Sequence, residues 1–246
     1  MPVARRGEVG LFYTDTGSGP AVLLHTGGAG DGRMWEQAGY VAALDGQRVL
    51  NLDHRGHGRS DKPLGAAAYH LDEHIADVVA ILDDAGVERA AIVGYSFGTR
   101  VALGVAARHA DRVRAVAGLG TLLPRDFDPA LRLDDAAEIR SRGTAAVIDE
   151  MAAAEDEPPP AWLLENLRGT DTEVFAGLIE GLSDDSAGEW GDLDRVRCPV
   201  LIAWGEKEQA VEPTEQVVVL PGLSHLQVFY RADLTIPLIT DFLARP

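Results

Sequence analysis

Two patterns of apolar and polar positions alternate along most of the chain. Continuous apolar runs indicate strands buried on both faces, as in a parallel sheet. These runs lie at 8–14, Pro20–Thr26, Gln47–Asp53, Ala90–Gly94, Arg112–Gly120, Arg197–Trp204 and Gln216–Leu220, with a turn at Asp15–Pro20. Helical spacing between them predicts helices over Met34–Leu44, Leu71–Ala85, Arg100–Ala107 and Asp233–Ala244. Strands that alternate with helices predict an α/β fold, with a mostly parallel central sheet and helices on both faces.

The alternation stops between Leu122 and about Arg195. Strand-like runs are absent there, and short helical segments are separated by Pro158–Pro160 and by acidic loops. These segments lie at about 129–141, 144–155, 160–168 and 172–182. We interpret 122–195 as a helical lid inserted into an α/β core that is formed by 1–121 and 196–246.

Composition narrows the class of protein. The 246 residues include 46% hydrophobic and 25% charged side chains, which is typical of a globular domain. The formal net charge of −17 argues against binding to nucleic acid or to anionic membranes. One cysteine cannot form an internal disulfide, and neither a signal pattern nor a membrane-length apolar run is visible. We therefore expect a cytoplasmic protein whose partner is a small molecule; the oligomeric state is not readable.

The first candidate catalytic motif is Gly94-Tyr95-Ser96-Phe97-Gly98, which lies between a predicted strand and a predicted helix. This is the Gly-x-Ser-x-Gly pattern of a nucleophile elbow, and strand–turn–helix is the context that supports it. Glycines on both sides permit a tight, strained turn. The helix N-terminus places unpaired N–H groups beside the serine oxygen. Ser96 is therefore the candidate nucleophile.

A serine nucleophile needs a base, and the base needs an acid that orients it. His225 follows the last predicted strand and is the best candidate base. Glu208 follows the strand before it and is the first candidate acid, with Glu206 as the alternative. The order Ser96, Glu208, His225 agrees with that of elbow-bearing hydrolases.

Two backbone N–H groups are expected to stabilise the oxyanion. Phe97 follows the nucleophile and supplies one of them. The loop after Pro20–Thr26 supplies the second, from Gly27 or, as an alternative, Gly28. The remaining histidines are predicted to be structural. His54 and His57 lie in a loop, and His70, His74 and His109 lie in or beside helices. His25 lies at a strand end, where it could orient the glycine-rich segment 27–32, called the glycine loop below.

At this point the chain resembles the α/β-hydrolase superfamily, in the branch of small soluble esterases, enol-lactonases and cofactor-free haloperoxidase-like enzymes. The resemblance covers almost the whole chain. It is carried by His25-Thr26-Gly27-Gly28 with Trp35, Asp53-His54-Arg55-Gly56-His57-Gly58-Arg59-Ser60, the elbow, Gly205-Glu206-Lys207-Glu208 and Pro221-Gly222-Leu223-Ser224-His225. It implies the same nucleophile, acid, base and oxyanion donors.

The chain departs from the family pattern at three places. Thr26 stands where the family usually has glycine, and the acid is glutamate where the family usually has aspartate. The segment 209–215 is too short for the helix that normally separates the acid from the last strand. These departures bear on which amide and which glutamate serve the site.

The predicted reaction is hydrolysis of a small carboxylic ester or lactone through an acyl-enzyme on Ser96. Epoxide hydrolases and dehalogenases resemble this chain but use aspartate at the elbow. Alternatives are a C–C bond hydrolase, a perhydrolase or lyase with the same triad, and a ligand receptor with a silent triad. No metal cluster and no cofactor are predicted. Substrate contacts are expected from Gly28 and from apolar lid residues, which are Phe127, Leu131, Trp162, Leu163, Phe175, Leu178 and Trp190.

Overall fold

The computed structural model describes residues 2–120, 128, 130–183, 192–208 and 216–245. The strands in these ranges are β1 (Val3–Arg6), β2 (Val9–Gly17), β3 (Ala21–His25), β4 (Arg48–Leu52), β5 (Ala90–Tyr95), β6 (Val113–Leu119), β7 (Val200–Gly205) and β8 (Val217–Leu220). They form an eight-stranded sheet in the order β1-β2-β4-β3-β5-β6-β7-β8. The strands β1, β2 and β4 pair antiparallel, and all pairs from β4 to β8 are parallel. The predicted α/β class is confirmed.

The helices cover both faces of this sheet. In chain order they are α1 (Arg33–Gln37), α2 (Tyr40–Ala43), α3 (Leu71–Asp84), α4 (Phe97–Arg108), α5 (Leu131–Arg142), α6 (Thr144–Ala153), α7 (Ala161–Arg168), α8 (Thr172–Gly181), α9 (His225–Tyr230) and α10 (Ala232–Leu243). None of the helices in the described ranges has the length and hydropathy that a bilayer-spanning segment needs.

Alternate residues of the central strands point to opposite faces, because successive side chains of a strand do so. Leu23 and Ile92 pack in one core cluster together with α3 and α4. Their neighbours Val22 and Val93 pack in a second cluster, together with α1, α2, α9 and α10. The strands β3 and β5 are buried along their whole length, which accounts for their continuous apolar sequence.

Two predictions of local structure were wrong, and one strand was not predicted. The predicted helix Met34–Leu44 is divided into α1 and α2 by Gly39, whose φ of 88° lies in the left-handed region and interrupts a helix. The predicted turn at Asp15 is strand, because β2 pairs with β4 as far as Gly17. The strand β1 was not predicted; it is an edge strand of four residues, only one of which is buried.

The segment between β6 and β7 contains α5 to α8, close to the four predicted helical segments. These helices pack on one another and on the core, with α5 against α8 and α6 against α7. Asn166 on α7 also bonds to the glycine loop: its Oδ1 accepts from Asp31 N at 2.9 Å, and its Nδ2 donates to Asp31 Oδ1 at 3.0 Å. The helix α7 is therefore tied to the loop after β3.

Hydrogen bonds from the charged loop after β4 stabilise the loop after β3 and the contact of the charged loop with α3. Asp53 Oδ1 accepts from Gly32 N at 2.9 Å, and Asp53 Oδ2 accepts from Arg59 N at 3.0 Å. Arg55 is buried and forms two hydrogen bonds of 2.6 Å to the carboxylate of Asp77 on α3. Such bidentate pairs fix geometry as well as charge.

Candidate active site

Ser96 lies at the turn between β5 and α4, with φ 52° and ψ −119°. It is the one non-glycine residue with positive φ among the described residues. A side chain in this region is strained, and such strain persists only where the surroundings enforce it. Here the amide of Ser96 donates to Leu119 O of β6 at 2.8 Å, while Ser96 O accepts from Thr99 N in the first turn of α4.

The glycines beside the elbow are required by close backbone contacts. A Cβ on Gly94 would lie 2.3 Å from the carbonyl carbon and oxygen of Gly98. A Cβ on Gly98 would lie 2.1 Å from His25 O. Real Cβ atoms do not approach backbone this closely. Gly94 is therefore required by the elbow's own backbone, and Gly98 by the close approach of β3.

A continuous hydrogen-bonded chain links the serine, the histidine and a glutamate. His225 Nε2 lies 2.9 Å from Ser96 Oγ, and His225 Nδ1 lies 2.7 Å from Glu208 Oε2. The other carboxylate oxygen of Glu208 accepts from Gly205 N at 2.9 Å. The Glu208 side chain is 8% exposed and that of His225 is 30% exposed. These positions are those of a nucleophile, a base and an orienting acid.

The alternative acid, Glu206, lies elsewhere. Its side chain is exposed, and its Oε2 accepts from Gly222 N at 2.7 Å. The structure thus brings Glu208, and not Glu206, to the imidazole. The short segment 209–215 between the acid and β8 lies outside the described residues.

His225 is held by residues that the sequence did not single out. It begins α9, and Ser224 caps that helix in a capping box with Gln227. The Tyr95 ring stacks on the imidazole with centroids 5.2 Å apart, and its hydroxyl donates to His225 O at 3.3 Å. Burial raises the pKa of Tyr95 well above its ordinary value, which keeps the hydroxyl protonated as a donor.

Three histidines hold the glycine loop from behind. His25 Nδ1 lies 2.9 Å from Thr26 O, His54 Nε2 lies 3.1 Å from Gly27 O, and His57 Nε2 lies 3.1 Å from Gly28 O. Three consecutive carbonyls of the loop therefore each face one imidazole nitrogen. The sequence assigned a loop-orienting role to His25 alone.

All three imidazoles are buried. Burial lowers the pKa of both His25 and His57 to about 4. Burial also lowers the pKa of His54 well below its ordinary value, and the neighbouring His57 adds to the effect. A carbonyl oxygen only accepts hydrogen bonds, so the proton of His25 is on Nδ1 and that of His54 is on Nε2.

These contacts fix the direction of the loop amides. In a trans peptide the N–H points opposite to the C=O. Because Thr26 O points to His25, the N–H of Gly27 points away from that ring. Gly27 also approaches the nucleophile closely, since a Cβ on it would lie 3.3 Å from Ser96 Cβ. The N–H of Phe97, in the first turn of α4, has no acceptor within the helix.

A cavity of about 570 Å³ opens beside these groups. The elbow, the glycine loop and His225 form its floor, and α6, α7 and α8 contribute apolar side chains. Charged residues from α4, from α5 and from the end of β7 also line it. Its described lining residues are Gly27, Gly28, Ala29, Tyr95, Ser96, Phe97, Arg100, Arg132, Asp135, Ile148, Met151, Leu167, Phe175, Leu178, Ile179, Leu182, Lys207, Glu208, His225 and Leu226.

The expected substrate contacts divide into three groups. Gly28, Phe175 and Leu178 line the cavity. Leu131, Trp162 and Leu163 are not among the described residues that line the cavity. Leu163 is fully buried in the second core cluster, Trp162 packs against that cluster, and Leu131 is 51% exposed. The side chains of these three residues face the core or solvent. Phe127 and Trp190 lie outside the described residues.

Comparison with known proteins agrees with this architecture. The family model described as "alpha/beta hydrolase fold" matches residues 20–173, more than half of the chain. A 2-(acetamidomethylene)succinate hydrolase from Mesorhizobium japonicum is 25% identical over 98% of this chain and 95% of its own length. Epoxide hydrolase A from Mycobacterium tuberculosis is 40% identical, over 43% of this chain and 33% of its own length.

Among solved structures, the enol-lactonase from Burkholderia xenovorans LB400 superimposes with a TM-score of 0.82. It is 27% identical, and the match covers 99% of this chain and 100% of that chain. The Mesorhizobium hydrolase and the enol-lactonase both match over nearly the full length of the chain. The chain belongs to the alpha/beta hydrolase fold family.

Proposed function

We propose that this hydrolase cleaves a small carboxylic ester or lactone through an acyl-enzyme on Ser96. The observation that carries the proposal is the hydrogen-bonded chain from Ser96 Oγ through His225 to Glu208, with distances of 2.9 and 2.7 Å. Its order and spacing are those by which a histidine activates a serine hydroxyl and a carboxylate orients the histidine.

The first half of the reaction forms the acyl-enzyme. His225 Nε2 takes the proton of Ser96 Oγ as that oxygen bonds to the substrate carbonyl carbon. The carbonyl π electrons move to its oxygen, and the amides of Gly27 and Phe97 stabilise the resulting charge. When the carbonyl re-forms, the C–O bond to the leaving group breaks, and His225 returns the proton to the departing alkoxide. Water then repeats these steps on the acyl-enzyme and releases Ser96.

The cavity favours a substrate with an apolar acyl part next to the scissile bond. Its wall carries Ile148, Leu167, Phe175, Leu178 and Ile179 from α6 to α8. We propose that the insertion acts as a lid in this sense, because it supplies most of the apolar wall above Ser96. The name of the structurally similar enol-lactonase supports the lactone alternative within the same chemistry.

Ser96 weighs against epoxide hydrolysis, because the epoxide-hydrolase branch carries aspartate at the elbow. C–C bond hydrolysis and perhydrolysis would use the same triad and belong in the same substrate panel. The cytoplasmic location and the absence of nucleic-acid and membrane partners stay predictions from composition.

The experiment is turnover of p-nitrophenyl acetate, followed by a panel of esters and lactones of increasing acyl length. Ser96→Ala and His225→Ala should each lower kcat by about 10³-fold or more, while the circular dichroism spectrum stays that of a folded protein. A folded wild-type protein without activity on the whole panel would favour the ligand-receptor alternative.

A further inference from the structure

Behind the glycine loop, three buried imidazoles converge from separate parts of the chain. His25 ends β3, His54 follows β4, and His74 lies on α3. Each offers one ring nitrogen, and these nitrogens lie within 4.8 Å of one another. The three residues are at most 1% exposed. Their sequence separation explains why the spacing of histidines along the chain predicted no metal cluster.

Four ring nitrogens of these histidines lack hydrogen-bond partners within the described part of the molecule. They are His25 Nε2, His54 Nδ1 and both ring nitrogens of His74. The bonds to Thr26 O and Gly27 O place the protons of His25 and His54 on the opposite ring nitrogens. Two bare lone pairs therefore remain, buried and unpaired. Buried polar atoms are rarely left in this state without a function or a bound group.

We infer that His25, His54 and His74 form a binding site for a divalent transition-metal cation of the zinc class. Neutral imidazole is a preferred ligand of Zn²⁺, Co²⁺ and Ni²⁺. With Zn–N bonds of about 2.0–2.1 Å, tetrahedral geometry places ligand nitrogens roughly 3.3 Å apart, so the side chains would close by about 1.5 Å or less. Three imidazoles leave a fourth position for water or an anion.

The surroundings match those of known metal-bound histidines. Such a histidine usually donates its second N–H to a carbonyl or carboxylate, which fixes the tautomer. His25 and His54 do this with Thr26 O and Gly27 O. The nearby charges are paired, since Arg6 and Arg55 form ion pairs with Asp77 and Glu73. The lone pairs of three neutral ligands would therefore hold the cation.

The site lies directly behind the proposed oxyanion hole. The Phe97 ring lies 4.7 Å from that of His74, 5.7 Å from that of His25 and 5.9 Å from that of His54, and Phe97 also lines the cavity. A cation here would not touch substrate. It would rigidify the two rings that hold the carbonyls of Thr26 and Gly27, and so act as a structural metal.

Metal content tests this inference independently of catalysis. The full chain is expressed in medium supplemented with Zn²⁺, so that it folds around the cation, and is passed through metal-free buffer. We expect about one equivalent of zinc per chain by inductively coupled plasma mass spectrometry. Ser96→Ala should hold the same amount. Growth with Co²⁺ in place of Zn²⁺ should give the visible absorption bands of a four-coordinate site.

His74→Leu is the informative variant, because His74 contacts no loop carbonyl. It should retain less than about a tenth of an equivalent, whereas His109→Leu, on a partly exposed helix flank, should match the wild type. A wild-type protein without zinc and without cobalt bands would overturn the inference, as would equal zinc in wild type and His74→Leu. If the cluster is only a packing feature, His74→Leu removes unpaired polar atoms and should raise the melting temperature.

Discussion

Gly120 makes room for the imidazole of His225. Its φ is +67°, and a Cβ at this position would lie 2.9 Å from both Cε1 and Nδ1 of the ring. The same Cβ would lie 3.6 Å from Glu208 Oε2. Gly120 follows β6, so the end of one strand controls the position of a histidine that begins α9 and of a carboxylate that follows β7.

Gly120→Ala should therefore lower kcat strongly and lower the free energy of unfolding only modestly. The added methyl group displaces the ring from Ser96 Oγ, and a displacement of about 1 Å can cost about 10²-fold in rate. The left-handed backbone adds strain of about 1–2 kcal/mol. Steady-state kinetics with p-nitrophenyl acetate and a thermal melt measure the two effects separately.

Gly222→Ala is the matched control for this prediction. Gly222 has a similar φ of +70°, but a Cβ there meets nothing within 4 Å. It should show the same loss of stability with nearly wild-type kcat. Equal kcat values for the two variants would contradict a positioning effect at Gly120.

Glu208→Gln should reduce kcat by about 10²–10⁴-fold, because an amide neither stabilises the imidazolium nor secures the tautomer. Glu206→Gln should leave kcat within about twofold of the wild type, because its carboxylate bonds to Gly222 N outside the triad. The two variants carry the same substitution at positions that lie two residues apart, so each serves as the control for the other. A larger loss at Glu206 would overturn the assignment of the acid.

Phe175→Ala should shift substrate preference toward longer acyl chains. A second cavity of about 450 Å³ between α5, α6 and α8 shares Asp135, Met151, Phe175 and Ile179 with the cavity above Ser96. Removing the Phe175 ring opens one cavity toward the other. The ratio of kcat/KM for octanoate and acetate esters should rise by about tenfold, which corresponds to about 1.4 kcal/mol of differential transition-state binding.

Trp162→Phe provides the control, since Trp162 packs on the second core cluster and is not among the described lining residues. Its octanoate-to-acetate ratio should equal that of the wild type, with some loss of stability. If both variants changed the ratio alike, the wall between the two cavities would not set acyl length.

Acid should destabilise the chelator-treated protein between pH 6.5 and about 4. The pKa of His25 and of His57 is about 4 in the folded chain, and that of an ordinary histidine is 6.5. In this window the unfolded state binds more protons, so the free energy of unfolding falls as pH falls. Each imidazole contributes about 1.4 kcal/mol per pH unit. Above pH 6.5 this contribution to the pH dependence vanishes.

Urea unfolding at pH 7.5, 6.0 and 5.0 measures this slope. His57→Gln should make the slope shallower than that of wild type. Parallel slopes for the two proteins would mean that His57 does not contribute to the pH dependence of stability.

The sheet and the candidate triad could be predicted from sequence because each depends on local signals. Continuous apolar runs such as Ala21–His25 reflect burial on both faces, and Gly94 reflects a close backbone contact with Gly98 within one turn. Gly39 shows where local reasoning fails: hydrophobic spacing continues across it, but its backbone conformation divides the helix.

Features that depend on distant contacts could not be read from the chain. Gly120 appeared as the end of a strand, although its role depends on a ring more than 100 positions away. Trp162 has the side chain of a pocket residue, but which face of α7 it occupies is decided by packing on the core. His54 and His74 carry no local signal of the cluster that they form with His25.

The central claim is that Ser96 is an activated nucleophile. It is tested most directly by reacting the native protein with a fluorophosphonate and mapping the adduct by peptide mass spectrometry. The account predicts one phosphonyl adduct, on Ser96, which disappears in folded Ser96→Ala and becomes much slower to form in His225→Ala. A folded wild-type protein that carries no adduct on Ser96 would contradict it.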